Sequence, residues 1–387
     1  MNVNGKHYRT IWPVNAEKGI TAVIDQRELP HNFVTVELTD VDDYAYAVKD
    51  MMIRGAGLIG ATAAWGMAAS AAAAAQEHSS ENNTNAFLRQ VELDAEKLVA
   101  TRPTAKNLEW AVEKQLNAVR KALESSDALK AAAAAAVRGA EEITDSDAQM
   151  CRSIGSHGLE IIKEIYNRKK EDGLKDTTVH ILTHCNAGWL AFVDYGSATA
   201  PVYRAFDEGI PVHVWVDETR PRGQGASLTA WELLSHGVPH DVIADNAGGH
   251  IMQHGMVDMV ITGADRVTAG GDAANKIGTY LKALAAKDNN VPFYIALPSS
   301  TFDWDIMDGV KEIPIEERSQ REVKYARGLS SASGSIEEVL LTPDDSPARN
   351  WGFDVTPARL ISGLITERGI CEASPESIAG MFPEYAE

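Results

Sequence analysis

Between residues 177 and 296 five short apolar runs, Thr178–Thr183, Val212–Val216, Val242–Ala244, Met259–Thr262 and Phe293–Ala296, alternate with stretches of helical character. No other feature constrains the fold as much. Near-continuous apolar runs of this length suit strands buried on both faces, and two parallel strands can be joined only by a crossover of a dozen or more residues, usually a helix. The alternation therefore predicts an α/β fold with a doubly wound parallel sheet. In such sheets ligands bind beyond the carboxyl ends of the strands, so the residues after each run are where chemistry is sought.

The chain has 387 residues, more than the roughly 250–300 over which a single core keeps growing, so two domains are expected. The first fifty residues mix β-branched runs such as Phe33–Leu38 with turn residues and lead into a helix near Val41–Met52. Residues 61–76 and the run Ala131–Ala136 are alanine-rich, which favours closely packed helices. A further helix is expected over Asn107–Ser125. Thr144-Asp145-Ser146 reads as an N-cap cluster opening a long amphipathic helix to about Lys170. These signals place a mainly helical domain with a stranded beginning at 1–145 and a Rossmann-like catalytic domain at 146–387.

Hydrophobic and charged fractions of 44% and 24% are those of an ordinary globular protein. The first residues lack an apolar leader region and no stretch is expected to reach the 18 or more apolar residues of a membrane span, so a cytoplasmic protein with no membrane partner is expected. A net charge of −19 argues against nucleic acid, whose phosphates require a basic face. The three cysteines, Cys151, Cys185 and Cys371, are too far apart for a Cys-x-x-Cys metal site and odd in number, so free thiols are expected.

The strand ends read Thr183-His184-Cys185-Asn186-Ala187-Gly188, Asp217-Glu218-Thr219-Arg220-Pro221, Asp245-Asn246-Ala247-Gly248-Gly249-His250 and Gly263-Ala264-Asp265-Arg266. Connectors alone need no such density of Asp, Asn, Cys, His and Gly, which points to a site. If Asn186-Ala187-Gly188 opens a helix, Cys185 lies at the positive end of its dipole, a setting that lowers a thiol pKa. Asp265 follows an apolar strand, where partial desolvation suits a general acid; pairing with Arg266 or capping a helix are equally open. Gly270-Gly271-Asp272-Ala273-Ala274-Asn275-Lys276 lacks Walker A spacing, yet it can offer backbone N–H groups and Lys276 to one phosphate. Arg54-Gly55-Ala56-Gly57 and Thr101-Arg102-Pro103-Thr104 are further cationic loops, and the strongly acidic chain must concentrate such cations to hold an anion.

Together, Ile53-Arg54-Gly55-Ala56, Arg102-Pro103-Thr104, the hexapeptide around Cys185, Asp217–Pro221, Gln224-Gly225-Ala226, Thr262–Arg266 and Asn275-Lys276-Ile277-Gly278-Thr279, in that order, resemble the methylthioribose-1-phosphate isomerases. The likeness extends through Phe353–Pro357 and Leu364–Gly369. The wider superfamily includes ribose-1,5-bisphosphate and 5-deoxyribose-1-phosphate isomerases and regulatory subunits of translation initiation factor 2B. The resemblance implies that Cys185 and Asp265 are catalytic. It also implies that Arg54, the backbone of Gly55 and Ala56, Arg102, Gln224, Asn275 and Lys276 hold a sugar phosphate. A homodimer with no metal and no cofactor is implied as well. The expected reaction is an aldose–ketose isomerisation of 5-methylthioribose 1-phosphate in methionine salvage, with 5-deoxyribose 1-phosphate or a related C5-modified sugar as the alternative.

Two departures bear on that alternative. The family usually carries Pro after Arg-Gly-Ala and Met-Ala after Asp-Asn, whereas Gly57 and Ala247-Gly248-Gly249 stand here, and glycines leave room beside the C5 group. The competing readings are a non-catalytic regulator, which has no need of both Cys185 and Asp265, and a dinucleotide enzyme, for which a Gly-x-Gly-x-x-Gly after the first sheet strand is missing.

Overall fold

The computed structural model describes residues 1–79, 83–102, 106–125 and 127–385. The chain divides into two compact units. The first comprises Met1–Ser153 with Gly188–Gly196 and Pro298–Thr301, and the second comprises Ile154–Ala187, Ser197–Leu297 and Phe302–Glu387.

The first unit opens with the hairpin β1 (Asn2–Val3) and β2 (Lys6–His7), then an antiparallel sheet in the order β3 (Ile11–Asn15), β4 (Ile20–Ile24), β5 (Thr35–Leu38). Helix α1 (Val41–Lys49) is capped by Asp40, whose carboxylate accepts the Asp43 N–H at 3.0 Å. Four helices follow: α2 (Ala56–Glu77), α3 (Thr84–Val99), α4 (Lys106–Ala122) and α5 (Ala128–Glu171). Helix α2 is the core of the unit. Its alanines and glycines let neighbours approach closely: a Cβ on Gly60 would lie 3.1 Å from Asn107 O, and one on Gly66 would lie 3.1 Å from Tyr44 Cβ. The structure corrects the expectation that no stretch is long and apolar enough for a membrane span: by length and apolarity α2 could cross one, although most of its side chains are buried in the protein.

The structure corrects the expected helix start at Thr144-Asp145-Ser146, because α5 runs through these residues without a break. The first two find partners compatible with a helix interior. The Thr144 hydroxyl donates to Ala140 O at 2.7 Å and accepts the Trp65 indole N–H at 3.0 Å, while Asp145 pairs with Arg9 at 2.6 Å. The division between the units falls inside α5, at Ser153/Ile154.

In the second unit the strands are β6 (Val179–Thr183), β7 (Val212–Asp217), β8 (His240–Ile243), β9 (Met259–Thr262), β10 (Arg266–Thr268), β11 (Ala273–Lys276), β12 (Phe293–Ala296), β13 (Phe302–Asp303), β14 (Tyr325–Leu329), β15 (Ile336–Leu340), β16 (Phe353–Thr356), β17 (Gly363–Thr366) and β18 (Gly369–Cys371). The helices are α6 (Ala200–Asp207), α7 (Ala230–His236), α8 (Ala247–Gln253), α9 (Thr279–Asp288), α10 (Gly309–Glu312), α11 (Arg321–Lys324) and α12 (Pro375–Met381). The large sheet has the order β18-β17-β12-β9-β6-β7-β8, parallel throughout except for the edge pair β17–β18. All five expected strands lie in it, and β17 and β18 extend it at one edge. Leu182, Val260, Phe293, Ile295 and Leu364 fill its core. A second sheet, β13-β10-β11-β16, sets Asn275 opposite Asp354 and Lys276 opposite Phe353. From β6 the chain steps outward to β7 and β8, then returns to the other side of β6 and continues through β9, β12 and β17. The direction of winding therefore reverses between β6 and β9, and the crevice at such a switch point is where doubly wound sheets bind ligands.

Candidate active site

Cys185 and Asp265 emerge from the carboxyl ends of β6 and β9, the two adjacent strands of the switch point. The loops beyond them pack closely: a Cβ on Gly263 would stand 2.4 Å from the Ala187 Cβ, so only glycine lets the Asp265 loop lie on the Cys185 loop.

Cys185 is buried and has φ +66, a left-handed conformation that costs a non-glycine residue energy and tends to persist where function demands it. Two threonines hold it there. Its N–H donates to Thr219 Oγ1 at 2.8 Å and its carbonyl accepts from Thr229 Oγ1 at 2.7 Å. The expectation that Asn186-Ala187-Gly188 opens a helix is corrected. The segment leads only into a three-residue 3-10 turn, Trp189–Ala191, with Gly188 as its N-cap; Ser197 and Ala198 both donate to Ala187 O at 2.9 Å, and α6 begins only at Ala200. Closing the loop on Ala187 takes the place of winding an α-helix.

Asp265 is partly exposed between β9 and β10, and its N–H donates to Ala274 O at 2.9 Å. Preceding a strand, it caps no helix, and Arg266 reaches Asp303 at 3.0 Å. Of the residues expected to hold substrate in this unit, Gln224 is buried and its amide oxygen has no partner among the described residues. Asn275 Nδ2 donates to Thr279 Oγ1 at 3.0 Å; Lys276 Nζ donates to Gly352 O at 2.8 Å and lies 4.7 Å from the centre of the Phe353 ring. Gly225 opens a single π turn over Gly225–Thr229, and a Cβ there would fall 1.7 Å from Asp217 O.

Arg54, Gly55, Ala56 and Arg102 belong to the first unit. Gly55 has φ +94 and abuts Ala191, leaving the start of α2 without a side-chain cap, so the N–H groups of its first turn have no acceptor within the helix. With Arg54 beside it, this terminus suits an anion. Arg102 follows α3, while Pro103 and Thr104 of the same motif lie outside the described residues.

The glycines expected to make room at the C5 group do not stand in open space. A Cβ on Gly57 would be 2.2 Å from Asp147 Oδ1 and 2.4 Å from Phe192 Cδ1. Burial, reinforced by Asp194, lifts the Asp147 carboxyl to about 7 although it accepts the Val193 N–H at 2.7 Å. A Cβ on Gly248 would lie 3.1 Å from Lys282 Cε, and one on Gly249 would lie 3.7 Å from the Ala285 Cβ.

Beneath the rim lies a charged network that the motifs only partly announced. His184, Asp217 and Asp245 place ligand atoms within 4.8 Å of one another, a geometry that could hold a cation. The chain supplies one itself: Lys282 Nζ is 3.2 Å from Asp217 Oδ2 and also donates to Asp245 O. The Asp245 carboxylate accepts the N–H groups of Thr219 and Arg220, each at 2.7 Å. Asp354 accepts those of Gly278 (2.7 Å) and Tyr280 (3.1 Å) at the start of α9; burial raises its pKa and these two N–H groups oppose the rise.

A parallel sheet with a Cys and an Asp just beyond its switch point, and a glycine-rich segment ending in Lys276 paired to the Asp265 backbone, has the layout of a small-ligand enzyme. The chain belongs to the Initiation factor 2 subunit family, matched over residues 52–373, and within it to the methylthioribose-1-phosphate isomerases. It is 57% identical over 387 residues, covering all of both chains, to the "Methylthioribose-1-phosphate isomerase" of Paramagnetospirillum magneticum, and 55% identical to that of Desulfatibacillum aliphaticivorans over 99% of each chain. Among solved structures, 5-methylthioribose 1-phosphate isomerase from Pyrococcus horikoshii superposes with a TM-score of 0.78 at 36% identity, covering 98% of this chain and 97% of that one. The delta subunit of translation initiation factor eIF-2B from A. fulgidus superposes with a TM-score of 0.75 at 32% identity, covering 97% and 100%.

Proposed function

We propose that the chain converts 5-methylthio-α-D-ribose 1-phosphate to 5-methylthio-D-ribulose 1-phosphate, as an aldose–ketose isomerase of methionine salvage. The observation that carries this is 57% identity, end to end, with a methylthioribose-1-phosphate isomerase. Esterification of the anomeric oxygen prevents ordinary ring opening, so an acid must act at the ring oxygen. In the proposed sequence Asp265 gives its proton to the ring oxygen and the C1–O bond of the ring breaks. Cys185 takes the hydrogen from C2 and returns it to C1, and the C2 hydroxyl passes its proton to Asp265 as it becomes the ketone. Every proton is returned, and the 1-phosphate is retained. Arg54, the N–H groups of Gly55 and Ala56, Arg102, Gln224, Asn275 and Lys276 are assigned to the phosphate and hydroxyls. The orphaned amide oxygen of Gln224 and the uncapped start of α2 support that assignment. The enzyme is proposed to be a cytoplasmic homodimer.

The substitution Cys185→Ser tests the reading. Loss of turnover with substrate binding retained by calorimetry is expected, and substantial remaining activity refutes the role of the thiol.

A further inference from the structure

His184 precedes Cys185, and its ring is buried at the end of β6. Nδ1 lies 2.8 Å from Asp217 Oδ2 and Nε2 lies 2.8 Å from Ile277 O. A carbonyl can only accept, so Nε2 carries a hydrogen. Asp217 also faces the Lys282 ammonium through the same Oδ2, an arrangement that calls for a carboxylate, so Nδ1 carries a hydrogen as well. Both bonds are complete only when the ring is doubly protonated, with Asp217 as its counter-charge.

The two ends of this bridge lead to different parts of the site. Asp217 closes β7, and its carbonyl accepts from the Thr219 hydroxyl that in turn accepts the Cys185 N–H. Ile277 follows Asn275 and Lys276 directly. Its neighbour Gly278 has φ +104, and a Cβ there would lie 3.0 Å from the His184 ring, so the Asn275–Gly278 segment is built around the imidazole.

We propose that His184 is a positioning residue for the isomerisation. Its Asp217 bond fixes the hinge that presents the Cys185 thiol, and its Ile277 bond fixes the strand end that presents Asn275 and Lys276 to the substrate. The inference rests on the reading of Cys185 as the proton carrier and of Asn275 and Lys276 as substrate-holding residues. Two isosteric variants separate the bonds, because an Asn amide nitrogen replaces Nδ1 and a Gln amide nitrogen replaces Nε2. His184→Asn keeps the Asp217 bond, so KM should rise roughly tenfold or more with kcat largely kept. His184→Gln keeps the Ile277 bond, so kcat should fall roughly ten- to a hundredfold with KM largely kept. Identical kinetic defects in the two variants, or lowered melting temperatures with unchanged kinetics, overturn the proposal. Cys185→Ser is assayed beside them. If it turns over, the reading beneath the proposal fails; if it is inactive while both histidine variants match the native enzyme, the proposal alone fails. Should neither histidine variant fold, neutron diffraction from deuterated crystals of the native enzyme decides: deuterons on both ring nitrogens of His184 support the bridge, and a bare nitrogen overturns it.

Discussion

Replacing Gly278 by Ala perturbs the second unit in two ways whose sizes can be worked from the structure. The backbone at φ +104 costs a residue with a Cβ about 1–3 kcal/mol. The new methyl would also lie 3.0 Å from Cε1 and Nε2 of His184, so the ring must shift and the 2.8 Å bond to Ile277 O lengthens or breaks, costing about 1 kcal/mol more. The sum is about 2–4 kcal/mol. With a urea m-value of roughly 3 kcal/mol/M, the unfolding midpoint falls by about 1 M. Gly209→Ala is the control. It has φ +78 in the same unit with nothing within 4 Å of the added Cβ, so it bears only the conformational cost, about 1–2 kcal/mol. Midpoints from far-ultraviolet circular dichroism and kcat/KM are measured for both. Gly278→Ala should lose clearly more stability than Gly209→Ala and should alone lose activity. Equal midpoints, or full activity in Gly278→Ala, refute the claim that this glycine exists to admit the imidazole.

Lys282→Met removes the cation beside buried Asp217 while keeping most of the stem that packs on Gly248, and should destabilise by about 3–5 kcal/mol, read from the same urea curves. Asp147 titrates near 7 in the folded state against about 4 unfolded, so the folded state binds the extra proton between these values and stability falls as pH rises through that window. Asp147→Asn removes the cost of ionising a buried carboxyl and can still accept the Val193 N–H. It should exceed the native protein in stability at pH 8, by up to ~4 kcal/mol, with the advantage shrinking toward pH 4; a constant difference across that range contradicts the assignment.

The parallel sheet was legible because strands buried on both faces must be apolar along their length, as Met259–Thr262 and Phe293–Ala296 are. Strand β17 opens on Gly363 and pairs with the short edge strand β18, so the pattern there was too brief to stand out. Thr144-Asp145-Ser146 misled because hydroxyl and carboxyl groups cap helices or bond within them according to partners such as Trp65 and Arg9 that lie far away in sequence. The positions of Cys185 and Asp265 at strand ends were legible, whereas the left-handed turn at Cys185 depends on Thr219 in another loop and on Thr229 at the end of the π turn. Lys282 carried no signal, since a lysine on a helix ordinarily faces water. It turns inward because Gly248 leaves space for its stem and Asp217 and Asp245 receive its charge. Gly57 and Gly248 read as open space for the same reason that their neighbours Asp147 and Lys282 were invisible: both contacts are tertiary.

The most direct test of the central claim is kcat/KM for the purified enzyme on 5-methylthioribose 1-phosphate beside 5-deoxyribose 1-phosphate and ribose 1,5-bisphosphate, following ketose formation. A clear preference for the methylthio compound is predicted, consistent with glycines at 57 and 248 that serve packing. Comparable or better turnover of the deoxy sugar contradicts the assigned substrate, and no turnover of any of the three contradicts the isomerase itself.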